Sequence, residues 1–227
     1  MVRIGHTIFL SFLLFFSCGK NSDHALETPS IKKERVEQFP PESIEASLFD
    51  IFRDLGVPER PLELALSSYY QNSQIVRNKR FLAIVDFSKH SGKERFYLLD
   101  LQELNYVRLH VAHGRSSDPE HTGYAKYFGD IPDSNKTSLG SFLTGARYTG
   151  SNGLSMRLHG LSPTNRNAYQ RAIVVHGAIY VDPDWDKMGR SLGCPSVADE
   201  FIEQVVARLE EGAILYHYHP SLEKNLI

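Results

Sequence analysis

One cysteine of this chain is set among residues that do not suit a core thiol. Cys194 lies in MGRSLGCPSV (188–197), between Gly193 and Pro195, with Arg190 and Ser191 just upstream. A structural thiol behaves as a small hydrophobe and has apolar neighbours; this one has turn-formers, a hydroxyl and a cation. Cysteine attacks as the thiolate, and with an ordinary pKa of about 8.5 it needs a base, a cation or a helix N-terminus close by. The apolar spacing of VADEFIEQVVARL predicts a helix over 197–209. Cys194 is therefore expected just ahead of a helix whose dipole lowers its pKa. Backbone N–H groups around Gly193 and Cys194 would then face an oxyanion, and Gly193 would let the backbone approach a substrate closely.

Ten histidines compete for the role of base. His6 and His24 fall in the N-terminal stretches, His90 and His121 in expected loops, and His217 and His219 alternate on the last strand as surface or sheet residues. His110, His113, His159 and His176 remain. His176 is the best placed, because it ends the apolar run AIVV and is followed by Gly177, at a strand end from which the loop over 178–193 can return Cys194 to it. Near this pair, Ser191 would hydrogen-bond around the site and Arg190 would receive a carboxylate bidentately, or both would merely cap the loop. His159, in MRLHGL, would line the pocket or be a structural residue of an alternating strand; His113 reads as a turn after a strand. Tyr180 and Trp185 would cover the substrate or pack in the core. The histidines and Cys194 are scattered singles with no HExxH or CxxC spacing, so no metal and no cofactor are expected.

The segment HGAIYVDPDWDKMGRSLGC (176–194) resembles the active-site segment of the L,D-transpeptidase catalytic domain, the YkuD-type fold. Members carry a His-Gly on one strand and a Ser-His-Gly-Cys further on. His176 and Gly177 match the first, and Ser191, Gly193 and Cys194 the second; Leu192 replaces the second His, as in a divergent branch with GRSxGCP. VAHGRSS (111–117), TSLGSFLTGARYTGSNGLSMRLHGL (137–161) and RAIVVHGAIYV (171–181) extend the resemblance over roughly 80–220. It implies an enzyme of peptidoglycan stem peptides. Cys194 would attack the carbonyl of the third residue, a diamino acid, of a tetrapeptide stem; the terminal D-alanine would leave and an amine of another stem would take the acyl group. Water in place of the amine would make an L,D-carboxypeptidase. The resemblance also implies that His176 is oriented by a backbone carbonyl instead of a carboxylate. Two alternatives need no chemistry: a lipid-anchored protein that only binds wall peptides, and an inert core thiol at Cys194.

These residues must be positioned by the rest of the chain. Its 227 residues, 41% hydrophobic and 23% charged, suit one domain with a small appendage. The net charge of -2 carries no basic footprint for nucleic acid. Arg3 followed by the apolar run 8–16 reads as an export signal over 1–18, too short to span a bilayer. Ser17-Cys18 resembles a lipoprotein signal in which Cys18 is lipidated. The chain is then expected in the periplasm or cell envelope, held to the membrane by lipid, and Cys194 is left without an intramolecular disulfide partner. Residues 19–42 read as a polar tether. Residues 43–76 read as a helical lead-in, with Ser43 as N-cap and Pro61 opening a second segment. Residues 77–227 read as the catalytic domain, mainly β with a few helices (α+β), a sandwich or barrel-like sheet. Its strands are FLAIVDFS, RFYLLDL, VRLHVAHG, GSFLTGARYTG, GLSMRLHGL, AIVVHGAIYV and AILYHYH.

Overall fold

Short apolar and β-branched runs build most of the fold. In the computed structural model, residues 44–225 are described and belong to one unit. The export signal, Cys18, the tether and Ser43 lie outside them. Among the described residues no helix is long and apolar enough to cross a membrane.

Two helices lead in, α1 (Ile44–Asp54) and α2 (Glu59–Gln71). Their buried residues Phe52, Leu62, Ala65 and Leu66, with Val57 between them, join the same core as the sheet. The strands that follow are β1 (Phe81–Asp86), β2 (Phe96–Asp100), β3 (Asn105–Leu109), β4 (His113–Gly114), β5 (Gly140–Gly150), β6 (Gly153–Gly160), β7 (Val174–Gly177), β8 (Arg190–Ser191), β9 (Ser196–Val197) and, after helix α3 (Ile202–Leu209), β10 (Ile214–Tyr218). Eight of them form a mixed, barrel-like sheet in the order β3-β2-β1-β10-β5-β6-β7-β9; β4 and β8 form a separate pair. The fold is thus mainly β with a few helices.

Position in the sheet explains the sequence texture. Leu82, Ala83, Ile84 and Val85 are all fully buried, because β1 is covered on both faces, which suits a continuous apolar run better than alternation. The long hairpin β5–β6 turns at Ser151-Asn152 and carries a register shift between Thr144 and Arg147, a bulge that lets a sheet bend.

The helix predicted over 197–209 starts later than its spacing implies. Val197 lies in β9, Asp199–Phe201 is a 3₁₀ turn, and α3 begins at Ile202. Val197 pairs with Gly177 of β7, so a tertiary strand pairing claims the first residues of an amphipathic pattern. AIVVHGAIYV likewise is a strand only over Val174–Gly177.

Candidate active site

The Cys194 loop is stitched down at both ends by short parallel ladders. At its start, Arg190 and Ser191 of β8 pair with His113 and Gly114 of β4. At its end, Ser196 and Val197 of β9 pair with His176 and Gly177 of β7. Four residues between register-locked strands leave the loop little freedom, and Cys194 sits two residues before the direct strand partner of His176.

Inside the loop the Ser191 hydroxyl acts as a clasp. It donates to the Cys194 carbonyl at 2.7 Å and accepts from the Gly193 N–H at 3.1 Å. Gly193 has φ +124°, and a Cβ there would lie 2.9 Å from the Lys136 carbonyl, so the turn requires glycine. The Gly193 N–H is therefore engaged within the loop and does not face an oxyanion. Leu192, which departs from the family motif, is 64% exposed.

His176 is 5% exposed. Its Nδ1 lies 2.7 Å from the Gly177 carbonyl. A carbonyl only accepts, so Nδ1 carries the proton and Nε2 keeps its lone pair. That lone pair meets the Ser196 hydroxyl at 2.9 Å, and Ser196 is in turn 3.0 Å from the Tyr180 hydroxyl. Burial lowers the His176 pKa, partly offset by the Gly177 carbonyl and the Asp199 carboxylate. Asp199 comes this close because residue 177 has no side chain; a Cβ there would be 2.4 Å from Asp199 Oδ1.

The half-buried thiol holds a different partner, the Ala172 carbonyl at 3.8 Å from Sγ. Burial raises its pKa; the Val174 N–H and the Arg171 guanidinium oppose that. Cys194 stands eight residues ahead of α3, so the expected lowering by a helix N-terminus does not occur. The cation beside the thiol is Arg171, 3% exposed, held by the carbonyls of Gly129 (3.0 Å) and Lys136 (2.6 Å) and by Asp130 (3.2 Å). Arg190, the cation favoured from sequence, donates to the carbonyls of Asp118 and Pro119 at 2.5 and 3.0 Å. It fastens a neighbouring loop.

The structure thus places Ser191 and Gly193 around the Cys194 backbone and Gly177, Ser196 and Tyr180 around or next to His176, with the β7–β9 ladder linking the two sets. His159 stands apart, exposed on β6 and stacked on Tyr169 at 5.0 Å. Along β6 it is four residues from Ser155, the strand partner of His176, or about 13 Å at the rise of a strand. Trp185 is 45% exposed. His113 is not a turn residue: it is fully buried in β4, with Nδ1 accepting from Arg95 at 2.8 Å. Among the described residues no three His, Cys, Asp or Glu side chains are grouped to hold an ion. Sequence reasoning missed Arg171, Ser196 and Asp199. Nothing local marks Arg171 or Asp199, whereas Ser196 has one faint signal, its place two residues after the thiol.

A family model described as the L,D-transpeptidase catalytic domain matches residues 55–218. No curated protein sequence matches the chain. Similar solved structures include L,D-transpeptidase 3 from Mycobacterium tuberculosis, with 13% identity, TM-score 0.41, 62% of this chain and 61% of that one covered. An L,D-transpeptidase from Mycobacterium smegmatis has 11% identity and TM-score 0.39, over 62% and 59%. Bd1075 of Bdellovibrio bacteriovorus has 13% identity and TM-score 0.39, over 66% and 55%. The chain spans less than two thirds of each of these proteins.

Proposed function

Because the chain belongs to the L,D-transpeptidase catalytic-domain family, we propose that it is an exported enzyme of the cell envelope that transfers acyl groups between peptidoglycan stems. Cys194 Sγ attacks the carbonyl of the third stem residue. A C–S bond forms, the C–N bond to the terminal D-alanine breaks, and the thiol proton passes through His176 Nε2 to the leaving amine. An amine of a second stem then attacks the thioester and yields its proton to Nε2, and the thiol is restored. The Gly177 carbonyl holds the imidazole from the far side; Ser196, itself bonded to Tyr180, occupies Nε2 at rest and gives way to the thiol proton when the substrate is bound. The N–H of Cys194 itself is the oxyanion donor, since that of Gly193 serves Ser191. Lipidation of Cys18 would hold the domain at a membrane surface.

The observation that supports this reading best is the imidazole. Its Nδ1 proton rests on a backbone carbonyl, and its Nε2 lone pair points to the β9 side, two residues from the thiol. A thiol raised by burial and an imidazole lowered by burial keep the proton on sulfur at rest. Ionisation then accompanies attack, and Arg171 favours the thiolate. Hydrogen bonds of this kind often tighten only when substrate is bound.

The Ser196 hydrogen bond favours a second reading, a serine nucleophile, but Ser196 is fully buried. Intact-protein mass after incubation with a carbapenem or a tetrapeptide stem separates the two. Wild type should gain an adduct that maps to Cys194, and Cys194→Ala should gain none. An adduct on Ser196 would move the chemistry to the hydroxyl. No adduct in wild type would leave a wall-binding protein. Muropeptide products from sacculi would then distinguish cross-links from trimmed tripeptides, the mark of a carboxypeptidase.

A further inference from the structure

A cleft of about 440 Å³ is lined in part by Lys126, Tyr127, Gly129, Asp130, Lys136 and Thr164, and the carbonyl of one of these, Lys136, abuts Gly193 of the Cys194 loop. Its charges are unbalanced. Asp130 is committed, accepting from Arg171 at 3.2 Å and from the Asn167 N–H at 2.7 Å. Lys126 has only Glu120 at 3.9 Å, with both side chains more than half exposed, a pairing worth little in water. The Lys136 ammonium lies 6.0 Å from the centre of the Tyr127 ring, a weak contact at the edge of the cation–π range. Two poorly neutralised ammonium groups beside an aromatic wall suit a peptide that carries carboxylates.

The cleft is joined to the thiol through one side chain. Arg171 donates to Gly129, Asp130 and Lys136, all in the cleft wall. Its Nη2 would lie 3.2 Å from a Cβ at Gly193, and its charge acts on Cys194. The Lys136 carbonyl itself abuts Gly193. A ligand seated against Lys136 therefore lies one residue away from the loop that carries the nucleophile.

We propose that this cleft is a binding subsite for the carboxylates of the wall stem peptide, with Lys126 and Lys136 as its cationic contacts. The assignment of the ligand rests on the acyl-transfer reading; the charge of the cleft does not. The test is direct binding to Cys194→Ala protein, which needs no turnover. The probes are a fluorescent tetrapeptide stem with free carboxylates, the same stem with every carboxylate amidated, and an acidic peptide of L-residues. The free-acid stem should bind about tenfold or more tighter than the amidated one, as expected when charge-assisted contacts are lost. Lys126→Gln/Lys136→Gln in the same background should erase that difference, with an unchanged melting temperature. If the double variant does not fold, the single variants should each remove part of the difference. Equal affinity for acid and amide, or no effect of the lysine changes, overturns the subsite. Equal binding of the L-peptide overturns its assignment to the wall stem. If wild type forms no thioester yet binding stays lysine-dependent, the acyl-transfer reading fails and the subsite stands. If thioester forms with KM for the stem unaltered by the lysine changes, the subsite fails alone.

Discussion

Of the three His-Gly pairs in the chain, two lie on short strands that flank the Cys194 loop, VAHG at 111–114 and VVHG at 174–177. Each lies on a short strand in a parallel ladder with one end of the Cys194 loop. Their surroundings set them apart. His113 meets a buried guanidinium: Arg95, fully buried, donates to its Nδ1 and to the carbonyls of Val111 and Lys89. Its Nε2 lies 3.4 Å from Asp118, whose oxygens accept from Thr122 and Gly123. Burial and then the Arg95 charge lower His113 to about 3, so it stays neutral and acts as a strut. His176 meets a carbonyl, a hydroxyl and the carboxylate Asp199, all of which tolerate a positive ring. The same dipeptide is a fixed support where its neighbour is a cation, and a candidate base where its neighbours are oxygens.

Exchanging the two losses would break this comparison most sharply. His176→Ala should reduce acyl transfer about 10²- to 10⁴-fold with a small change in stability. His113→Ala should do the reverse, lowering stability by about 2–4 kcal/mol through the cavity and the unpaired Arg95 donor. Turnover and denaturant midpoints measured on both variants decide it, and equal loss of activity would make His113 part of the chemistry. Arg95→Met should destabilise by about 3 kcal/mol, since it leaves the Val111 and Lys89 carbonyls without their donor and Asp118 without its buried cation. A midpoint unchanged in that variant would show the strut to be dispensable.

Acid should expose the buried histidines. Burial lowers His113 to about 3 and His217 to about 4, from an ordinary value near 6.5. Between those values the unfolded chain binds more protons than the folded one. The stability these groups contribute is therefore full above pH 6.5 and is lost as pH falls through 4 toward 3. Denaturant midpoints between pH 7 and 4 should decline steadily; a flat profile would mean that neither ring is held neutral. Ser196→Ala is a smaller change. It removes one of the two bonds that hold the imidazole and should slow acyl transfer about fivefold, the equivalent of one hydrogen bond, while Tyr180→Phe, one step further out, should do less. A loss beyond about a hundredfold in Ser196→Ala would place that hydroxyl in the proton path.

How much of this was readable in the chain varies with the range of the interaction. The β5 strand falls on GSFLTGARYTG as its pattern predicts, over Gly140–Gly150, because aromatic and β-branched residues between flanking glycines are local signals. The helix α3 starts later than the apolar spacing predicts because Val197 is claimed by Gly177, twenty residues away. Arg190 and Arg171 show the same limit. The arginine beside the cysteine in sequence serves the Asp118 and Pro119 carbonyls, and the one that faces the thiol comes from the far side of β7.

The sequence by itself determined the mainly β class, the solitary thiol of the domain, its glycine turn and the His-Gly pairs from which a base could come. These rest on residue type and short-range periodicity, which a linear chain carries intact. Only the tertiary structure decided which imidazole is locked neutral by a cation and which keeps a lone pair beside oxygens. It also decided that burial raises the thiol pKa where a helix end was expected to lower it, and that Ser196, Arg171 and Asp199 surround the pair. Those outcomes depend on desolvation and on partners brought together by parallel strand pairing, and neither quantity exists until the chain has folded.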